Sequence, residues 1–208
     1  MPLKTIHLHH GDLPAGLDFG ASVAIDTETL GLNPLRDKLC LVQLSAGDGL
    51  CHMVKFDIQK PYNAPHLQKL LSNPKVTKIF HFARFDVATL YHHLGVMPSP
   101  IYCTKIASKI ARTFVPRHSL KDLCHSLLNI SLDKGQQASD WGSPTLSEEQ
   151  LAYAASDVLY LHKLKDALDT LLMRSDRIAL AQGCFDFLPT CAKLDLQGFE
   201  AGELFAHH

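Results

Sequence analysis

Asp26 and Glu28 close the run Val23-Ala24-Ile25-Asp26-Thr27-Glu28-Thr29-Leu30. Its apolar start has the character of a buried strand, and residues two apart on a strand share a face. Two carboxylates on one face repel each other, so either they hang in water or a cation sits between them. Hard oxygen ligands of this kind suit Mg²⁺ or Mn²⁺. Most isolated D-x-E triplets are exposed loop residues, because Asp and Glu are mostly exposed; the Val-Ala-Ile ahead of this one argues otherwise. A third acid, Asp86, ends His81-Phe82-Ala83-Arg84-Phe85-Asp86, just after the apolar run Val76–Phe80. It falls in the first turn of an expected helix, where the dipole favours a carboxylate in any case. The fourth, Asp157, stands four residues after Tyr153, which puts both on one helical face. Ala152, Ala154 and Ala155 around them are small enough to allow close approach to a sheet or a substrate.

These residues need elements to hold them. Short apolar runs predict strands over 3–8, 22–26, 39–45, 50–56 and 76–80, with Ala46-Gly47-Asp48-Gly49 as a hairpin connection. Helices are expected over 64–71 and over 83–94, the latter stopped by Gly95. Ser119 with Asp122 resembles a capping box and opens a helix to about 128. Ser147 with Gln150 is a fuller one and opens a helix expected to run to about 172, followed by a last helix over 176–187. A helix over 104–112 places Lys105, Lys109 and Arg112 as a basic stripe on one face. Strands come first, while helices flank and follow them, so the class is α/β with a mixed central sheet flanked by helices.

The chain has 208 residues, 46% hydrophobic and 20% charged, which argues for a packed globular domain and against disorder. No window approaches 18 uninterrupted apolar residues, so no membrane span is expected. The N-terminus lacks the pattern of a signal peptide. Six cysteines without a CxxC spacing read as reduced, buried thiols in a cytoplasmic protein. The net charge of −1 is unevenly spread: residues 75–121 hold 8 Lys/Arg and the single acid Asp86. That asymmetry points either to an anionic partner gripped locally or to a solvated basic surface.

D-x-E at a strand end, a lone Asp after a later strand and Y-x₃-D in a late helix together resemble the tyrosine branch of the DEDD exonuclease superfamily. The likeness is to the catalytic domain of ribonuclease D, and it extends through His118–Leu123, Gln137–Trp141, Pro144–Ser147 and Gln150–Val158. It covers roughly residues 20–172. A stand-alone chain of this length is similar to the nano-RNase C family, since about 35 residues beyond the late helix leave no room for the helical domains that follow in full-length ribonuclease D. The oligoribonuclease branch has His where Tyr153 stands. His81 occupies a position that is often Asn, and Ser143 one that is often Arg.

The resemblance implies an RNase H-like exonuclease fold, with residues 1–174 as the exonuclease domain and 175–208 as a helical extension suited to oligomerisation. It further implies a 3′–5′ exoribonuclease that reduces short single-stranded RNA to nucleoside 5′-monophosphates with two divalent ions, Mg²⁺ or Mn²⁺. Asp26, Glu28 and Asp157 would hold one ion, and Asp26 with water-linked Asp86 the other. Tyr153 would orient the attacking water. Leu30 or Leu32 as a wedge, Phe82, Phe85 and Trp141 as stacking surfaces, His81 as a polar contact, and Lys105, Lys109 and Arg112 as phosphate contacts complete the expected substrate site. Ordinary packing competes with each of these assignments. The apolar tail, with Phe185, Phe187, Leu188, Phe199 and Phe205, is expected to pack on a sister subunit in a homo-oligomer. Two other readings stand beside this one: a broader nuclease that trims tRNA 3′ ends or degrades DNA, and a catalytically inactive RNA-binding scaffold.

Overall fold

The computed structural model describes residues 5–132, 135, 139–199, 201–204 and 206. Residues 3 and 4 of the expected first strand, Gln137, Ala138 and Phe205 lie outside these. Six strands form one mixed sheet: β1 (Ile6–His10), β2 (Ser22–Thr29), β3 (Leu39–Ser45), β4 (Cys51–Lys55), β5 (Thr77–Phe80) and β6 (Ile101–Cys103). Their order across the sheet is β1-β4-β3-β2-β5-β6. β2, β5 and β6 run parallel, β3 is antiparallel to both β2 and β4, and β1 pairs parallel with β4. The helices are α1 (Pro65–Ser72), α2 (Ala83–Leu94), α3 (Thr104–Ala111), α4 (Leu120–Leu128), α5 (Glu148–Leu159), α6 (Leu161–Arg174), α7 (Ile178–Leu196) and α8 (Ala201–Leu204).

β2 and β3 form the centre of the sheet. Val23, Ala24, Ile25 and every residue of β3 are buried, the continuous burial expected of strands covered on both faces. β2 runs three residues further than its apolar start suggested, because its ladder with β3 continues to Thr29 opposite Leu39. β5, in contrast, pairs only with Ser22–Ala24. The last half of β2, carrying Asp26 and Glu28, therefore projects past β5 and leaves room for the start of α2. The hairpin reading is borne out, with Gly47 and Gly49 supplying the positive φ that the β3–β4 connection requires.

Three elements depart from expectation. β6 has only three residues and follows a Pro-rich stretch, too short for a pattern, yet it completes the parallel edge beside β5. The long late helix divides at Tyr160 (φ −107°, ψ −4°) into α5 and α6. The last helix reaches Leu196 through Pro189, which removes one helical N–H donor. Burial of Phe185, Leu188 and Ala192 on its inner face holds it together. Phe185 and Leu188 thus belong to the chain's own core, while Phe187 and Phe199 remain exposed.

Buried Lys78 on β5 is satisfied where it stands. Its ammonium donates to the carbonyls of Asn73, Val76 and Ser99 at 2.6, 2.8 and 2.5 Å. Both helix caps read from the sequence are present: Ser119 accepts from the Asp122 N–H, and Ser147 and Gln150 form a reciprocal box.

Candidate active site

Asp26, Glu28 and Asp157 each turn a carboxylate oxygen to one point, the three atoms lying within 4.8 Å of one another. β2 supplies the first two and α5, packed across the sheet, brings the third. Asp86 enters from the first turn of α2 and is 4% exposed. The Thr27 hydroxyl donates to Asp86 Oδ1 at 2.6 Å, tying α2 to the strand between the other two acids. Thr27 was not singled out in the sequence, where a Thr between two acids carries no signal of its own.

Burial raises the pKa of all four acids, and neighbouring negative charge adds to it at Glu28, Asp86 and Asp157. Burial, opposed by the Thr27 backbone N–H, pushes Asp26 up to about 7. Burial, then Asp26, Asp157 and Asp86, pushes Glu28 up to about 10. Burial and the Asp26 charge raise both Asp86 and Asp157 well above the usual carboxylate range. Each shift measures how poorly the recess tolerates bare negative charge. A hard divalent cation answers both the geometry and the charge, so the donor set fits Mg²⁺ or Mn²⁺. Burial and the nearby acids also raise the Tyr153 phenol above its ordinary pKa, keeping it a proton donor at neutral pH.

The acids form the base of a cleft of about 690 Å³. Its walls include Leu30, Leu32, His81, Phe82, Phe85, Lys105, Lys121, Trp141 and Tyr153. Leu32 is 87% exposed. Leu30 leans on Gly142, where an added Cβ would stand 2.8 Å from Leu30 Cδ2. Gly31 between them is packed against Asp37 with no space for a side chain, which fixes the turn that presents both leucines. Phe82 caps α2 in the left-handed region at φ 65°, a strained conformation for an aromatic residue. Its half-exposed ring carries the Lys105 ammonium 4.1 Å from the centroid.

Trp141 is buried and packs beside Tyr153 with ring centroids 6.2 Å apart, more a support than an open stacking surface. The expected basic stripe is not a single surface. Lys105 lines the cleft, whereas exposed Lys109 and buried Arg112 do not. For His81, burial and then the Lys105 charge push the imidazole down to about 3, so it is neutral. Thr104 donates its only hydroxyl proton to the Phe80 carbonyl. The 2.9 Å contact between His81 Nδ1 and Thr104 Oγ1 is therefore donated by the histidine, which leaves Nε2 as an acceptor.

A strand-borne D-x-E and two helix-borne acids converging at the open end of a mixed sheet define a metal-dependent nuclease site of the RNase H-like class. A family profile described as 3′-5′ exonuclease matches residues 12–173. The chain belongs to this 3′–5′ exonuclease family, in its ribonuclease D-like, NrnC-type group. It is 52% identical to Brucella melitensis NrnC, with a TM-score of 0.95, over 99% of this chain and 100% of that one. A structure of the same nuclease with bound Mg²⁺ is 51% identical, with a TM-score of 0.93, over 98% and 100% of the two chains. Ribonuclease D from Bartonella henselae is 37% identical over 74% of this chain. The chain spans only 37% of that curated relative's length. Among the described residues no helix is long and apolar enough to cross a membrane.

Proposed function

We propose that the protein is a divalent-metal-dependent 3′–5′ exoribonuclease that shortens small single-stranded RNAs to nucleoside 5′-monophosphates. The convergence of Asp26, Glu28 and Asp157 carboxylate oxygens within 4.8 Å carries this reading. The choice of short RNA is supported by the likeness to Brucella melitensis NrnC bound to pGG, 52% identical with a TM-score of 0.93 over 98% of this chain and 99% of that one.

In this account Asp26, Glu28 and Asp157 hold one divalent ion, and Asp26 with Asp86 a second. Bound there, such ions polarise a phosphodiester and make water a stronger nucleophile. Thr27 holds Asp86 through its hydroxyl. Tyr153, protonated, orients the attacking water by hydrogen bonding rather than taking its proton. His81 Nε2, an acceptor, receives a hydroxyl proton from the 3′-terminal ribose. Leu32, with Leu30 behind it, wedges against the terminal bases, and the exposed Phe82 face offers a stacking surface. Lys105 balances phosphate charge at the mouth of the cleft.

Residues 1–174 act in this reading as the nuclease unit and 175–208 as an extension that joins copies of the chain. Ile178, Leu180, Phe187, Phe199 and Leu204 leave exposed apolar surface along α7 and α8, which favours a homo-oligomer. Size-exclusion chromatography with light scattering should give several times the chain mass; a monomer contradicts this part. Six free cysteines, four of them buried, suit a reducing cytoplasm.

The function itself is tested with 3′-hydroxyl RNAs and matched DNAs incubated with Mn²⁺ or Mg²⁺. Dinucleotides should be cleaved faster than long structured RNA. Equal rates on both, or on DNA, would favour the broader ribonuclease D-like reading instead.

A further inference from the structure

Gln43 interrupts the apolar run of β3, Leu39-Cys40-Leu41-Val42-Gln43-Leu44, and is fully buried. Both ends of its amide, Nε2 and Oε1, lack a hydrogen-bond partner among the described residues. An unpaired amide in a core is costly, and Met or Leu would fill a similar space without that penalty. Other buried polar groups of the sheet are provided for where they stand. The Lys78 ammonium has three carbonyls, and the Ser45 hydroxyl donates to the Leu50 carbonyl at 2.7 Å. Packing alone does not account for Gln43.

The strand register supplies a reason. Gln43 stands directly opposite Asp26 in the antiparallel β2–β3 pair, with Met53 opposite it on β4. Opposed residues project to one face with Cβ atoms about 4.5–5.5 Å apart, a distance a glutamine amide spans. The next residues on that face of β3 are Leu41, which is apolar, and Ser45, whose hydroxyl is engaged with the hairpin. From α5, the buried side chains are Ala154, Ala155, Val158 and Leu159, none with a polar atom. Asp26 is thus the acceptor that the register sets beside the amide. Gln43 is not among the residues that line the cleft, so it stands behind Asp26, away from substrate.

We propose that Gln43 is a positioning residue for Asp26. Its Nε2–H donates to a carboxylate oxygen of ionised Asp26 and fixes the rotation at which Asp26 faces a divalent cation. An ionised carboxylate offers about four acceptor sites, so this bond coexists with coordination. The role rests on the metal-site reading above and adds to it a residue that touches neither metal nor RNA.

Mn²⁺ alone, titrated by calorimetry into full-length metal-free protein, tests this without turnover. Gln43→Met keeps the length of the side chain and removes the amide. It should bind Mn²⁺ about 10–100-fold more weakly than the wild type, the usual loss for a group that orients a ligand. Its metal-free melting temperature should hold or rise by about 2–4 °C, because an unpaired buried amide is gone. Gln43→Leu should behave alike and serves as the second variant. A residue of the core only gives the opposite pattern, a lower melting temperature with Mn²⁺ affinity unchanged. That pattern, or failure of both variants to fold, or affinity and stability lost together, overturns the proposal. Equal Mn²⁺ binding by all three proteins overturns it too and leaves the metal site standing, whereas no binding by the wild type overturns both.

Discussion

Asp26 is the residue on which the recess turns, facing Glu28 along its own strand and Asp157 from α5. Replacing it with Asn removes a ligand and one repelling charge together. Asp26→Asn should lower activity at least a hundredfold, exceeding the usual loss for a residue that only supports a ligand, about 10–100-fold. It should also raise the melting temperature of metal-free protein by about 2–4 °C, the shift that roughly 1 kcal/mol gives a chain of this size. Calorimetry with and without Mn²⁺ checks both halves, because metal should stabilise the wild type and not the variant. Thr27→Val keeps shape and loses the donor to Asp86. We expect about 1 kcal/mol of lost stability and a 10–100-fold weaker metal affinity or activity. Lys78 carries a pH signature of its own. Burial lowers its pKa from 10.5 to about 8. The folded state thus binds this proton less tightly than the unfolded chain, and stability linked to it rises as pH climbs from about 8 to 10.5. Wild type measured against Lys78→Met over that range should show this rise; a flat difference contradicts it.

At the scale of elements, the site depends on α2 beginning where it does. Arg84, in the first turn of α2, makes a two-point ion pair with Asp195 near the end of α7, at 2.6 and 2.5 Å. The pair is partly exposed, so a double-mutant cycle of Arg84→Ala and Asp195→Ala should give a coupling of about 1 kcal/mol or less. If the contact also sets the direction of α2, both single variants lower activity more than stability alone explains. Much of this layer was legible in the sequence. Strand positions, both caps and the hairpin glycines each have local causes. What escaped were features with non-local ones. β6 exists because β5 offers it a ladder, and α7 runs through Pro189 because its inner face is buried. Arg84 and Asp195 are 111 residues apart, a separation no local pattern can report.

Across the whole molecule, the five residues Asp26, Glu28, Asp86, Tyr153 and Asp157 were legible because their types and order are specific even though each alone is common. The structure brings them to one cleft. The substrate-side residues were less legible, since a Leu, Phe or Lys in sequence does not reveal which way it faces. Lys109 and Arg112 share a helix face with Lys105 on paper, yet Arg112 turns into a separate cavity. Charge in the cleft follows the same division: four acids meet in the recess, while Lys105 and Lys121 line its walls. The most direct test follows 5′-labelled RNAs of two to roughly twenty nucleotides (a range set by common single-strand site sizes) with Mn²⁺ or Mg²⁺, using wild type and Asp26→Ala. Stepwise loss from the 3′ end, abolished by chelator and by the substitution, is the predicted result. Degradation that persists without divalent metal, or undiminished in Asp26→Ala, would contradict the account.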